Sequence, residues 1–308
     1  MPSNYGLKGF ATHHQKPILG HANNGSGLFK DMPEGGSIFR SPYQMHFEDF
    51  NNPIRTGAFE ASGWTHSIIG AGTGADEIVD AETGYLLLHP GSVDDGGFSL
   101  AYNVAADAVT TATPPLNLLG EIDCTATLMD SRELMFNYRV GFSSESAAWQ
   151  GKALFGWITD DIACMAPATG VPTLKAEGGI GFHIGETGVL GVFSQTATLT
   201  AAPTNVTGTN VLDDIALVSA EAFVWYNLGF RTRWGDAGTG IGHTDFFVNG
   251  RLTNTITNGL PMDGTGTYST RFEVINGPAG KEIDIAIDSI ASGITRPGLT
   301  WPYDTGNF

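Results

Sequence analysis

The chain has 308 residues, 15% of them charged, with a formal net charge of −17. That length buries a full core without disulfide or metal staples, and the acid excess repels phosphate backbones, which argues against direct nucleic-acid binding. Ordinary soluble domains are about 25% charged, so this surface is built largely from Thr, Ser, Asn and Gly. Its six lysines, Lys8, Lys16, Lys30, Lys152, Lys175 and Lys281, belong to the residue type most depleted where protein surfaces bury one another, which fits a chain held in an assembly.

Residues 1–45 show no strand or helix period. They hold Pro2, Pro17, Pro33 and Pro42, many glycines and the apolar residues Phe10, Ile18, Leu19, Leu28, Phe29, Ile38 and Phe39. A disordered tail is poorer in such anchors, so the reading is an extended arm that orders by lying across another surface. Lys8, Lys16, Lys30 and Arg40 against Asp31 and Glu34 make this arm slightly basic. The first ten residues lack the apolar core of a signal peptide, and runs such as Tyr85-Leu-Leu-Leu88 are too short to span a bilayer. A soluble protein is expected, with no membrane partner.

From His46 onward, short apolar or alternating runs bounded by turn residues predict strands. They are 46–50, 64–69, 85–89, 98–104, 121–128, 133–142, 153–159, 179–185, 189–195, 223–233, 244–249, 270–276 and 282–290. Thirteen strands exceed one sheet of usual size, which makes two packed antiparallel sheets the economical solution. The expected fold is an all-β antiparallel sandwich, with a body at 46–292 and an extended tail at 293–308 that packs through Trp301. A tight turn near Glu186-Thr-Gly188 joins two of the strands, whose glycines suggest close approach of another backbone or ring. Asn249-Gly250 is the strongest hairpin signal. Residues 211–222, with Asp213-Asp214 ahead of Ile215 and Leu217, read as a short helix or a loop.

Few residues offer chemistry. Glu282-Ile-Asp284-Ile-Ala286-Ile-Asp288 puts Glu282, Asp284 and Asp288 on one face of a strand. His13, His14 and His21 are read as hydrogen-bonding arm residues, because adjacent histidines in extended chain point opposite ways. Asp94-Asp95, Asp160-Asp161 and Asp213-Asp214 lack the spacing of a calcium loop and read as turn formers and helix caps. Cys124 and Cys164 read as small buried hydrophobes. Most of the six tryptophans should serve the core. Trp149 and Trp234, beside loop residues, are the better sugar-stacking candidates. No phosphate loop, zinc spacing or nucleophile elbow is present, so no catalytic residue, metal ligand or cofactor is expected.

The order of elements from Glu133 onward carries a resemblance. Leu134-Met-Phe-Asn-Tyr-Arg-Val-Gly-Phe142 is followed by Leu154-Phe-Gly-Trp-Ile-Thr159, Gly179-Ile-Gly-Phe-His-Ile184, Trp225-Tyr-Asn-Leu-Gly-Phe-Arg-Thr-Arg233, the Phe247-Val-Asn-Gly250 turn and a final Ile-Asp strand. This series resembles concanavalin-like (laminin-G-like) jelly rolls, in particular those of tailed-phage virion structural proteins. The resemblance implies a non-enzymatic capsid decoration or cement protein, made in the host cytoplasm and carried on the virion surface. Its partners would be the major capsid protein and sister copies, preferably as a trimer, reached through Phe10, Ile18, Leu19, Phe29, Ile38, Phe39 and Trp301. The alternative it leaves open is a glycan-binding fibre or adhesin module. A weaker one is a polysaccharide-cleaving enzyme, because Glu282 to Asp288 is similar to the catalytic strand of laminarinase-like glycoside hydrolases. That strand needs a second proton carrier about 5 Å from the first, and here Ala286 or Ile287 takes its place. The segment therefore reads as a half-buried edge strand, isoleucines inward and acids in water.

Overall fold

The computed structural model of the chain describes residues 43–49, 64–69, 75–79, 85–90, 96–102, 122–123, 133–144, 151–159, 179–195, 204–216, 222–234, 242–257, 267–277 and 283–295. The described strands, in chain order, are β1 (Tyr43–Asp49), β2 (Trp64–Ile69), β3 (Ala75–Val79), β4 (Tyr85–His89), β5 (Gly97–Tyr102), β6 (Ile122–Asp123), β7 (Glu133–Ser144) and β8 (Lys152–Thr159). They continue with β9 (Gly179–Ile184), β10 (Val189–Gln195), β11 (Thr204–Asn210), a single short helix α1 (Val211–Ile215), β12 (Val224–Trp234), β13 (Gly242–Val248), β14 (Arg251–Thr257), β15 (Thr267–Ile275) and β16 (Ile283–Thr295).

All pairings are antiparallel and form two eight-stranded sheets. The first runs β14-β13-β12-β7-β16-β4-β3, with β1 also paired to β16; the second runs β11-β10-β9-β8-β15-β5-β2, with β6 also paired to β15. The all-β sandwich expected from the sequence is the observed architecture.

Alternation explains the packing. Successive strand residues point to opposite faces, and in β7 Leu134, Phe136, Tyr138, Val140 and Phe142 are all fully buried, whereas Arg139 between them is exposed. The same parity buries Tyr226, Leu228 and Phe230 of β12 and Phe155 and Trp157 of β8. Aromatic rings join the sheets: Tyr138 meets Phe155 and Phe272 edge-on, both at 5.8 Å, and Phe182 meets Phe246 at 5.6 Å. The inner strands of the second sheet, such as β8, β9 and β5, are buried on both faces. A smaller apolar cluster, Ile69, Leu154, Ile158, Phe193 and Ile275, covers the face turned away from the sandwich interior.

Tyr138 brings a hydroxyl into this core with no hydrogen-bond partner, and burial raises its pKa well above the usual tyrosine value. An unmet buried donor is destabilising, so Tyr138→Phe should leave the fold intact and stabilise it by about 1 kcal/mol. Paired thermal melts check this; a clear loss of stability would show that the hydroxyl has a structural role.

Both turn readings hold. Gly188 N donates to Gly185 O (2.9 Å) between β9 and β10, with Gly188 at φ 74°. Asn249 and Gly250 both have positive φ, 50° and 77°, as a two-residue type I′ hairpin requires. Within the open alternative at 211–222, Val211–Ile215 form helix α1. Asn210 Oδ1 accepts from Asp213 N at its start (3.4 Å), and the Tyr226 hydroxyl donates to Asp214. Burial, then that carboxylate, keeps the Tyr226 phenol protonated above the usual tyrosine range.

Two strands escape sequence reading, β3 and β11, and of β14 only the start at the hairpin is foreseen. β11 (TNVTGTN) and β14 (RLTNTIT) are polar, and β14 lies largely in solvent at the end of its sheet, so neither shows an apolar alternation. The closing strand also differs from expectation. β16 is no edge; it lies between β7 on one side and β4 and β1 on the other. Ile285, Ile287, Ile290 and Ile294 do enter the core. Keeping both pairs of isoleucines inward requires one extra residue, and the register with β7 shifts between Ile287 and Ser289. Asp288 is the bulged residue, an arrangement that typically re-aims a side chain.

Candidate functional site

The outward face of the first sheet carries the residues that alternate out of the core. Register sets Trp225 of β12 beside Gly141 of β7, Gly141 beside Ala286 of β16, and Ala286 beside Leu87 of β4. The neighbouring row on one side holds Ser143 and Asp284, with His89 bonded to Asp284; that on the other side holds Asn227, Arg139 and Ser289.

Gly141 is the reason the indole fits. A Cβ there would lie 3.1 Å from Phe223 Cβ and from Trp225 Cδ2 and Cε2, so the Trp225 ring lies down over the bare strand. Phe223 stands 5.9 Å from Trp225, and Tyr85 reaches across from β4 to within 5.5 Å of Phe223 and 6.0 Å of Trp225. The three rings are each half-buried and form an aromatic shelf.

Polar groups rim it. The Arg139 guanidinium lies 5.4 Å from the Trp225 ring centroid, within cation–π range, and its Nη1 donates to Asp288 Oδ2 at 3.1 Å. The bulge supplies that carboxylate. His89 Nδ1 pairs with Asp284 Oδ1 at 2.6 Å, with side chains 38% and 18% exposed. Asn227 is exposed beside Arg139, and its backbone N donates to Asn249 Oδ1 (2.9 Å). Towards the other end the face closes: Met135, Arg231 and Phe247 are buried, and Glu133 binds both Arg231 and Arg233. The half-buried and exposed groups of this face stand on four adjacent strands, β12, β7, β16 and β4, about 4.8 Å apart.

Aromatic faces with convergent hydrogen-bonding groups are what a ring with one apolar and one hydroxylated aspect requires. Bond-breaking chemistry is less well supplied. Ser143, Asp284 and His89 lie on adjacent strands with the aspartate in the middle, whereas a serine relay needs the histidine between nucleophile and carboxylate. Ala286, fully buried, cannot carry a proton. Among the described residues no group of three or more His, Cys, Asp or Glu side chains could hold a metal ion, and no helix is long and apolar enough to cross a membrane.

The sequence candidates fare unequally. Asp284 and Asp288 belong to the rim. Trp234 does not offer a stacking surface: it is 4% exposed and packs edge-on against Trp157 at 6.2 Å inside the sandwich. Trp64 and Trp157 are also core residues. Trp149, Trp301, Phe10, Ile18, Leu19, Phe29, Ile38, Phe39, the arm histidines, Glu282, both cysteines and the pairs Asp94-Asp95 and Asp160-Asp161 lie outside the described residues. Sequence reading missed Trp225, Tyr85, Phe223, Arg139 and His89 as a group. Parity along β12 could have found the first of them, since Trp225 is out of step with Tyr226, Leu228 and Phe230.

No family model matches the chain, and no curated protein does. Solved structures do. The carbohydrate esterase vb_24B_21 of the Shiga toxin-encoding bacteriophage phi24B is 17% identical with a TM-score of 0.44, covering 81% of this chain and 97% of that one. The potassium-bound carbohydrate recognition domain of Emp46p is 10% identical with a TM-score of 0.45, covering 79% and 95%. The binding domain of Botulinum neurotoxin DC, in complex with rat synaptotagmin II, is 11% identical with a TM-score of 0.45, covering 80% and 47%. Likeness this distant carries no argument about what the chain binds, which must come from its own residues.

Proposed function

We propose that this chain is a non-enzymatic glycan-binding sandwich, of the kind a fibre or adhesin module uses to attach to surface sugars. One observation carries the reading: Trp225, Phe223 and Tyr85 form a half-exposed aromatic shelf on a sheet face where Gly141 leaves room for the indole. A sugar ring stacks its C–H face there while Arg139, Asp288, Asn227 and the His89–Asp284 pair meet its hydroxyls. Titration of the full chain against a glycan panel tests this. Wild type should bind at least one oligosaccharide, Trp225→Ala should weaken that binding tenfold or more, and Trp225→Phe should retain most of it. A wild type that binds no sugar at millimolar concentration sinks the reading.

A second reading, shell decoration on a phage capsid, is favoured by the scarcity of lysine and by the apolar anchors at Phe10, Ile18, Leu19, Phe29, Ile38 and Phe39. Decoration works by adding buried area across capsid subunits, so that bound copies stabilise the shell. Deleting residues 1–42, which leaves β1 whole, separates the two. Capsid binding should disappear, whereas glycan binding through the shelf should persist.

A further inference from the structure

We propose that Asn249 is a site of spontaneous deamidation, which makes the β13–β14 hairpin the place where this molecule ages chemically. Asparagine is a thermolabile residue, and the backbone nitrogen of a following glycine attacks its side-chain amide most readily, because no Cβ obstructs the approach. The chain holds four Asn-Gly pairs, beginning at Asn24, Asn249, Asn258 and Asn276. Asn24 and Asn258 lie outside the described residues. The other two both follow a β-branched residue, Val248 or Ile275, and the fold puts them in opposite surroundings. Asn249 and Gly250 are exposed at the tip of the hairpin, whereas Asn276 is 3% exposed and Gly277 is buried beside it.

The reaction needs only water. The Gly250 nitrogen, giving its proton to hydroxide, attacks Cγ of Asn249; the bond from Cγ to the side-chain nitrogen breaks, ammonia leaves with a proton returned from water, and a cyclic imide joins the two residues. Water then opens the imide at one carbonyl or the other, giving aspartate or isoaspartate. No hydrogen bond among the described residues occupies the Gly250 N–H, so the attacking group is available. The fold also assists the attack. Asn227 N donates to Asn249 Oδ1 at 2.9 Å, the oxygen on which negative charge develops as the ring closes, and a backbone N–H already aimed at a developing oxyanion stabilises it. Asn249 N donates in return to Asn227 O at 2.7 Å, which keeps that donor in place. Isoaspartate adds a methylene to the main chain. A two-residue type I′ turn, here with φ 50° at Asn249 and 77° at Gly250, does not accommodate the extra atom, so the modified hairpin loses its turn.

Peptide mapping by mass spectrometry tests this on the full chain, incubated folded at pH 8 and pH 6 and unfolded in urea at pH 8. In urea Asn249 and Asn276 should convert at similar rates, since their sequence neighbours are alike. In the folded protein at pH 8 Asn249 should convert at least tenfold faster than Asn276, give more isoaspartate than aspartate, and slow down at pH 6. Asn249→Gly, which suits a positive φ and carries no amide, should fold and abolish the conversion at this position. The isoaspartate form, isolated by ion exchange, should melt below the parent protein. Folded-state conversion of Asn249 no faster than that of Asn276 overturns the inference, as does a rate that does not rise with pH. An isolated isoaspartate form that melts with the parent overturns the loss of the turn.

Discussion

Gly181→Ala is expected to destabilise the protein by about 3 kcal/mol, the upper range for overpacking a closed site. Gly181 of β9 and Gly156 of β8 face each other in the middle of the second sheet, and the two backbones touch where side chains would otherwise stand. A Cβ on Gly181 would lie 2.2 Å from Phe155 O and 2.9 Å from Gly156 Cα; one on Gly156 would lie 2.2 Å from Ile180 O. These are backbone atoms held by ladder hydrogen bonds on both sides, so no flexible side chain can move aside. The strands must separate, and the adjoining core rings Phe155 and Phe182, stacked at 5.6 Å, must follow. Chemical denaturation measures the loss. Gly185→Ala is the control, since its Cβ would meet nothing nearer than His183 Nε2 at 3.7 Å, and it should stay within about 0.5 kcal/mol of wild type. Equal behaviour of the two variants would contradict the close approach.

Acidification should weaken the fold through His183. This histidine is 4% exposed, and neither ring nitrogen has a hydrogen-bond partner. Burial lowers its pKa from 6.5 to about 4. Between those values the unfolded chain takes up a proton that the folded one refuses. The contribution is therefore present in full above pH 6.5 and falls as pH drops towards 4, by about 3 kcal/mol over the whole window. Its neighbours across the ladder are Leu154 and Gly191, so an apolar residue suits the site. His183→Leu should be at least as stable as wild type at pH 7 and should lose most of the decline between pH 6.5 and 4. Denaturation midpoints at pH 7, 6, 5 and 4 decide it; a variant that declines in parallel with wild type would place the acid sensitivity elsewhere.

Much of the fold was legible because alternation in strands such as β7 and β12 is unbroken: every second residue from Leu134 to Phe142 is apolar, and the turn at Asn249-Gly250 fixes one hairpin by backbone geometry alone. The polar strand β11, and β14 beyond its start at that turn, were not, because threonine and asparagine suit a loop as well as a sheet margin. The site was legible only in fragments. Asp284 and Asp288 drew attention as a strand of acids, but their partners Arg139 and His89 lie on strands far away in sequence, and the bulge that brings Asp288 to Arg139 exists only once β16 is paired. Tryptophan position misled in the same way. Trp234 sits near a loop in sequence yet points inward, whereas Trp225, in the middle of a long strand, is turned outward by parity and given room by Gly141 on the neighbouring strand.

A structure of the protein bound to the tightest oligosaccharide from the panel tests the central claim most directly. The account predicts a sugar ring stacked on Trp225, between Tyr85 and Arg139, with hydroxyls within hydrogen-bonding distance of Asp288 or of the His89–Asp284 pair. A sugar bound at any other surface, with the shelf empty, would contradict it.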